Sequence, residues 1–225
     1  MTVIDIRAGA ELPANREEVE FQTADGLTLV GELATPIGRA PVATLLTLHP
    51  LPTHGGFMDS HVIRKAANRL PALVDFAVLR FNTRGTESPR GKSQGVFDGG
   101  KDERLDVEAA LEFVASRGLP NVWLLGWSFG TELALKYGSD KDIRGVILLS
   151  PPLHRTSVEE LQAWIGSPKR VVAIVPEFDD YLPPEQAVEG SDALAVEYMN
   201  ERFPVSVDVV GARAPFDPEN ARIRS

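Results

Sequence analysis

Gly126-Trp127-Ser128-Phe129-Gly130 is the stretch whose reading decides the fold. An apolar run, Asn121 to Leu125, leads into it, and a helix-like run, Thr131 to Tyr137, leads out. A serine between two glycines at a strand-to-helix junction has a physical logic. The serine needs an unusual backbone angle to lift its hydroxyl above the sheet, and neighbours without a Cβ let strand and helix close around it. The helix that starts there aims free N–H groups and its positive dipole end at any negative charge that develops nearby. Ser128 is therefore the candidate nucleophile.

Outward from this turn, the chain alternates between strands and helices. Towards the N-terminus, Val19 to Ala24 and Leu27 to Ala34 alternate in polarity around Asp25-Gly26, a hairpin signal because both turn positions tolerate positive φ. Val42 to Leu48 is a continuous apolar run, expected of a strand buried on both faces. After the loop His49 to Gly56, a helix is expected from Asp59 or Ser60, with Val62, Ile63, Ala66, Ala67 and Leu70 on one face. Phe76 to Phe81 reads as another buried strand, and the Gly/Ser/Pro-rich segment Thr86 to Gly100 as a long loop over the top of the sheet. Asp102 caps a helix running to about Arg117, with Leu105, Ala109 and Phe113 inward.

Past the turn, Ile143 to Leu149 and Val171 to Val175 read as strands, with a short helix from Val158 to Ile165 between them. A helix between about Pro184 and Arg202 and a last strand, Val205 to Val210, complete the pattern. Such alternation predicts one α/β domain with a mostly parallel, doubly wound sheet. Residues 19–211 form that domain, 1–18 a polar arm and 212–225 a short polar tail.

Composition narrows the function. Of 225 residues, 23 are basic and 32 acidic, a formal net charge of −9, and no basic stripe is present, so nucleic acid is not expected as a partner. No apolar run reaches the roughly 20 residues that cross a bilayer, so no membrane partner is expected. Met1 to Arg7 lacks the basic start and apolar core of a signal peptide. The absence of cysteine fits a cytoplasmic protein and excludes a thiol nucleophile. No Rossmann or Walker pattern occurs, and His54, Asp59 and His61 match no zinc spacing, so neither cofactor nor metal is expected.

Three motifs together carry a resemblance. His49-Pro50-Leu51-Pro52 with Gly55-Gly56, then Arg80-Phe81-Asn82-Thr83-Arg84-Gly85, then the 126–130 stretch, resemble the α/β-hydrolases. Within them the chain looks most like a small bacterial branch often described only as predicted hydrolases. The likeness runs from about residue 19 to residue 211 and implies an α/β-hydrolase fold with an N-terminal hairpin. The short segment Pro151 to Lys169 leaves no room for a large cap domain.

The resemblance also implies roles. Ser128 corresponds to the nucleophile, and the N–H of Phe129 to one oxyanion donor. The second donor comes from the loop after the third strand, where Pro50 and Pro52 have no N–H, which leaves Leu51. At His49 the expected role is to buttress that loop rather than to shuttle protons. Arg84 is expected on a carboxylate such as Glu103 or Asp106. Asp179, with Asp180 beside it, stands where the family keeps the acid of its triad.

One position departs from the pattern. Where the resembling branch reads Gly-Ala-x-His, this chain reads Gly211-Ala212-Arg213-Ala214, and no histidine follows His154. A serine hydroxyl is a weak nucleophile without a base. The expectation is therefore a cofactor-free serine hydrolase acting on an ester, thioester or similar acyl substrate, with Asp179 orienting a base not yet identified, for which His154 and His54 are candidates. The alternative is a binding or accessory protein that keeps the pocket and has lost the proton relay. A shortened or altered C-terminus is a third account of the same departure.

Overall fold

The computed structural model describes residues 9–165 and 167–175. In that range the chain forms β1 (Asn15–Gln22), β2 (Thr28–Thr35), β3 (Ala43–Leu48), α1 (His61–Val74), β4 (Phe76–Phe81), the short ribbon β5 (Glu87–Ser88) and β6 (Gly91–Lys92), and α2 (Glu103–Ser116). It continues with β7 (Val122–Trp127), α3 (Phe129–Gly138), β8 (Gly145–Leu149), α4 (Val158–Gln162) and β9 (Arg170–Ile174). The expected helix from Pro184 and strand from Val205 lie outside the described residues.

Seven strands make one sheet in the order β1-β2-β4-β3-β7-β8-β9. From β4 across to β9 every pairing is parallel, and β1 and β2 add an antiparallel edge. Alternate residues of the central strands feed two cores. Leu46, Leu79, Leu124 and Val146 point to the side of α2, α3 and α4, where Val107, Leu133 and Leu161 meet them. Leu45, Val78 and Leu125 point to the side of α1 and Ala67. Because both faces are covered, these strands read as apolar runs rather than alternating ones. This is an α/β-hydrolase arrangement without a large cap, since the connection from β8 to β9 carries only α4.

Three expectations need correction. β1 begins at Asn15, inside the stretch read as an arm. Asn15 to Glu18 pair with Thr35 to Glu32 at the sheet's edge, where mostly exposed polar residues leave no apolar signal. The hairpin turn is longer than the Asp-Gly pair suggests. Thr23 N–H donates to the Leu27 carbonyl, and of the two expected positions only Gly26 has positive φ.

On α2 the buried stripe is Glu103, Asp106, Val107, Ala110 and Val114. Ala109 is buried and Phe113 packs on Phe21 of the core as expected, while Leu105 is half-buried. As expected, Thr86 to Gly100 runs along the top of the sheet, from the start of β2 to α3, where Phe97 meets the Phe129 ring edge-on at 5.4 Å. Gln94 N–H donates to the Thr28 carbonyl, and Val30 N–H to Ser93 Oγ.

Candidate active site

At the end of β7 the backbone turns on Ser128, which has φ 52° and ψ −118°. A non-glycine residue at that angle is strained, and such strain persists only where its surroundings hold it. Here the Ser128 N–H donates to the Leu149 carbonyl at 2.8 Å, tying the turn to the end of β8. On the other side the Ser128 carbonyl accepts from both the N–H and the hydroxyl of Thr131. The two flanking glycines are steric requirements. A Cβ on Gly126 would fall 2.4 Å from the Gly130 carbonyl oxygen, and one on Gly130 would fall 2.1 Å from that of Leu48.

The second contact brings the loop after β3 to the first turn of α3. Leu48 pairs with Gly126 across the sheet, so that loop and the serine turn leave the sheet side by side. Pro52–His54 forms one 3₁₀ turn with Leu51 at its start, and Gly55 ends it at φ 78°. Gly56 must stay bare, because a Cβ there would fall 2.0 Å from the Pro50 carbonyl oxygen. Neither the Leu51 N–H nor the Phe129 N–H is taken up by a backbone carbonyl among the described residues. Ser128, Leu51 and Phe129 thus gather at the C-terminal edge of the sheet, where open α/β sheets place their ligands.

His49 lies beneath this loop, 1% exposed. Its Nδ1 is 2.7 Å from the Pro50 carbonyl, which can only accept, so Nδ1 carries the proton. Its Nε2 accepts from the Thr83 N–H at 3.1 Å. Burial pushes the imidazole down to about 4, against the opposing pull of the Pro50 carbonyl. Both nitrogens of His49 are therefore committed, which bears out its reading as a buttress in this geometry.

The other histidines are exposed and also stand at this edge. His54 contacts Thr53 Oγ1, His61 starts α1 with its ring edge-on to Trp127 at 5.0 Å, and His154 follows β8. Asp179, its neighbour Asp180, and Gly211 to Ala214 lie outside the described residues. Among the described residues no three acidic or histidine side chains gather as a metal site, and no helix is long and apolar enough to cross a membrane.

Arg84 takes Asp106 as its carboxylate, through the Arg84 N–H at 2.7 Å and Nε at 2.9 Å, with Asp25 as a second partner. Burial lifts the Asp106 carboxyl above its usual range despite these donors. Glu103, the other expected partner, instead accepts from the N–H groups of Asp98 and Gly100.

A contact that the sequence reading missed lies on the far side of the turn. Glu132, buried in the first turn of α3, accepts from the Arg155 N–H at 2.6 Å and from its guanidinium at 3.1 Å. Arg155 also sits over the Phe129 ring, 5.7 Å from its centroid. The segment after β8, which holds Ser150 and Leu153 at positive φ, is thereby clamped against the serine turn. The available signal was Glu132 itself, a lone acid in a helix that is otherwise apolar from Phe129 to Leu135 apart from Gly130 and Thr131.

A family model for the alpha/beta hydrolase fold matches residues 52–181, more than half of the chain. The chain belongs to the α/β-hydrolase fold family. Among solved structures of this family, it is similar to a lidless α/β serine hydrolase from Xanthomonas campestris. That likeness has 26% identity and a TM-score of 0.67, over 89% of this chain and 84% of the other. An α/β serine hydrolase homologue from Coxiella burnetii is similar at 27% identity and a TM-score of 0.69, covering 87% of each chain. An uncharacterized protein of Rickettsia prowazekii is 37% identical over 122 residues. That match spans 52% of this α/β-hydrolase-fold chain and about half, 47%, of the Rickettsia protein.

Proposed function

We propose that the protein is a cofactor-free serine hydrolase that cleaves an ester, thioester or similar acyl substrate. One observation carries the reading: Ser128 is held at φ 52° on the sharp turn from β7 to α3, and neither the Leu51 N–H nor the Phe129 N–H is taken up by a described backbone carbonyl. Donors fixed before the reaction stabilise a developing oxyanion without having to reorganise. The resemblance to a serine hydrolase of Xanthomonas and a serine hydrolase homologue of Coxiella, and to the small bacterial branch in three motifs, supports the same class.

In this mechanism the Ser128 oxygen attacks the acyl carbon and its proton passes to a base. The carbonyl electrons move onto the oxygen held by Leu51 and Phe129. When they return, the bond to the alcohol or thiol breaks, and the base protonates that leaving group. Water, deprotonated by the same base, then releases the acid and restores Ser128. Asp179 orients the base. His49 is not available for that part, so the candidates are His54, His61 and His154. The site is cytoplasmic and open, and it serves a small acyl compound rather than nucleic acid or a membrane.

The second reading, a binding or accessory protein on the same fold, is favoured by Ala214 standing where the resembling branch has its histidine. Hydrolysis of p-nitrophenyl acetate and butyrate by the wild type and by Ser128→Ala separates the two. The hydrolase reading expects turnover that the substitution removes by three or more orders of magnitude. Equal background rates from both proteins favour the binding reading.

A further inference from the structure

β8 ends as its neighbour β7 does. Trp127 pairs with Leu149 in the parallel register, so the next residue of each strand, Ser128 and Ser150, leaves the sheet at the same level. Neighbouring strands lie about 5 Å apart. Both serines have positive φ, 52° and 48°. Each is tied to the strand beyond it. The Ser128 N–H donates to the Leu149 carbonyl at 2.8 Å, and the Ser150 N–H donates to the Ile174 carbonyl at 2.9 Å.

The strain at Ser150 has two sources. At φ 48° a Cβ crowds the backbone carbonyl, and a residue that precedes a proline, here Pro151, is ordinarily extended. Glycine would take this angle freely. The serine instead presents a half-buried hydroxyl that, among the described residues, has no hydrogen-bond partner to offset the cost. Strain of this kind gathers at sites that use the residue.

Strand order gives the hydroxyl a side. β7 lies between β3 and β8. The loop with Leu51 leaves from β3 and Ser150 leaves from β8, so the two flank Ser128. A tetrahedral centre on Ser128 Oγ that turns its oxyanion toward Leu51 and Phe129 turns another substituent toward Ser150. We infer that Ser150 is a further catalytic residue, its hydroxyl donating a hydrogen bond to the leaving-group oxygen of an ester as the acyl–oxygen bond breaks. This rests on the hydrolase reading. The proton that the leaving group keeps comes from the base. Ser150 gives up none and only stabilises the charge that builds on that oxygen. Water that enters where the alcohol left meets the same hydroxyl.

Two esters with one acyl group test this. Phenyl butyrate releases phenolate, the more basic anion, which gains from a donor. p-Nitrophenyl butyrate releases an anion that is stable without one. Ser150→Gly keeps the turn, because glycine accepts φ 48°. In that variant kcat/KM is expected to fall about tenfold for phenyl butyrate and to stay within about twofold for p-nitrophenyl butyrate, the scale of one hydrogen bond. The Ser128 nucleophile, the oxyanion donors and the acyl group are common to both esters, so a purely structural role of Ser150 lowers both rates alike. Equal losses, or no loss with either ester, overturn the inference and leave the hydrolase reading in place. Should Ser150→Gly fail to fold, Ser150→Ala carries the same comparison with the same outcomes. A wild type that hydrolyses neither ester faster than Ser128→Ala overturns the hydrolase reading, and this inference with it.

Discussion

Gly130 packs so closely on Leu48 that a methyl group on its α-carbon would stand 2.1 Å from the Leu48 carbonyl oxygen. This contact sets the distance between the serine turn and the loop that carries Leu51. Backbone is the obstacle, so no side chain can rotate away. Gly130→Ala is expected to cost about 2 kcal/mol or more in a urea melt, at the level of overpacked cores. It should also lower kcat more than it raises KM. A variant with wild-type stability and rate would show that the two segments can part freely.

The Arg84–Asp106 pair is a buried charge contact with three short donor–acceptor distances. Removing one partner leaves the other charged, buried and short of partners. Asp106→Ala is therefore expected to destabilise by about 3 kcal/mol or more. Asp25 remains on Arg84 and softens the loss. The double variant Arg84→Met with Asp106→Leu should recover part of it, which a double-mutant cycle by urea denaturation measures. Additive losses would contradict the coupling.

Acid should reveal His49. Its folded imidazole is pushed down to about 4 from an ordinary 6.5. Between those values the unfolded chain binds a proton that the folded chain refuses. The contribution of His49 is thus complete above about pH 6.5, is lost as pH falls from 6.5, and loses nothing further below 4. From pH 7.5 to 4.5 the loss comes to about 2–3 kcal/mol. Carboxylates titrate in the same range in both proteins, so the quantity to compare is the difference between wild type and His49→Gln. Wild-type stability should fall more steeply, and parallel pH slopes would contradict the assignment.

Glu132 holds the Arg155 segment through two bonds. Glu132→Gln keeps the shape and removes the charge, with an expected cost of about 1–2 kcal/mol. The released segment should be cut faster by trypsin after Arg155, since proteolysis follows local opening. Unchanged cleavage at Arg155 would show that the clamp does not control this segment.

Much of this architecture could be read from the residues. Phe76 to Phe81 has the bounds of the observed strand, and Ser128 sits on the expected turn, because continuous apolar runs and paired glycines leave strong local signals. What stayed hidden has a common cause. Glu103 and Glu132 are buried acids, and an apolar period places such residues outward unless their partners are known. Those partners, including Arg155 and the N–H groups of Asp98 and Gly100, come from other segments and meet them only in the folded chain. His49 shows the same limit: its place in the loop was legible, its bond to Thr83 was not. Asn15 to Glu18 escaped because an edge strand gains pairing without burial.

The central claim is that Ser128 is an activated nucleophile. Intact-mass spectrometry after incubation with a fluorophosphonate, wild type beside Ser128→Ala, tests it most directly. The account expects one phosphonyl adduct per wild-type chain and none on the variant. A wild type that stays unmodified while a related serine hydrolase labels fully under the same conditions would contradict it.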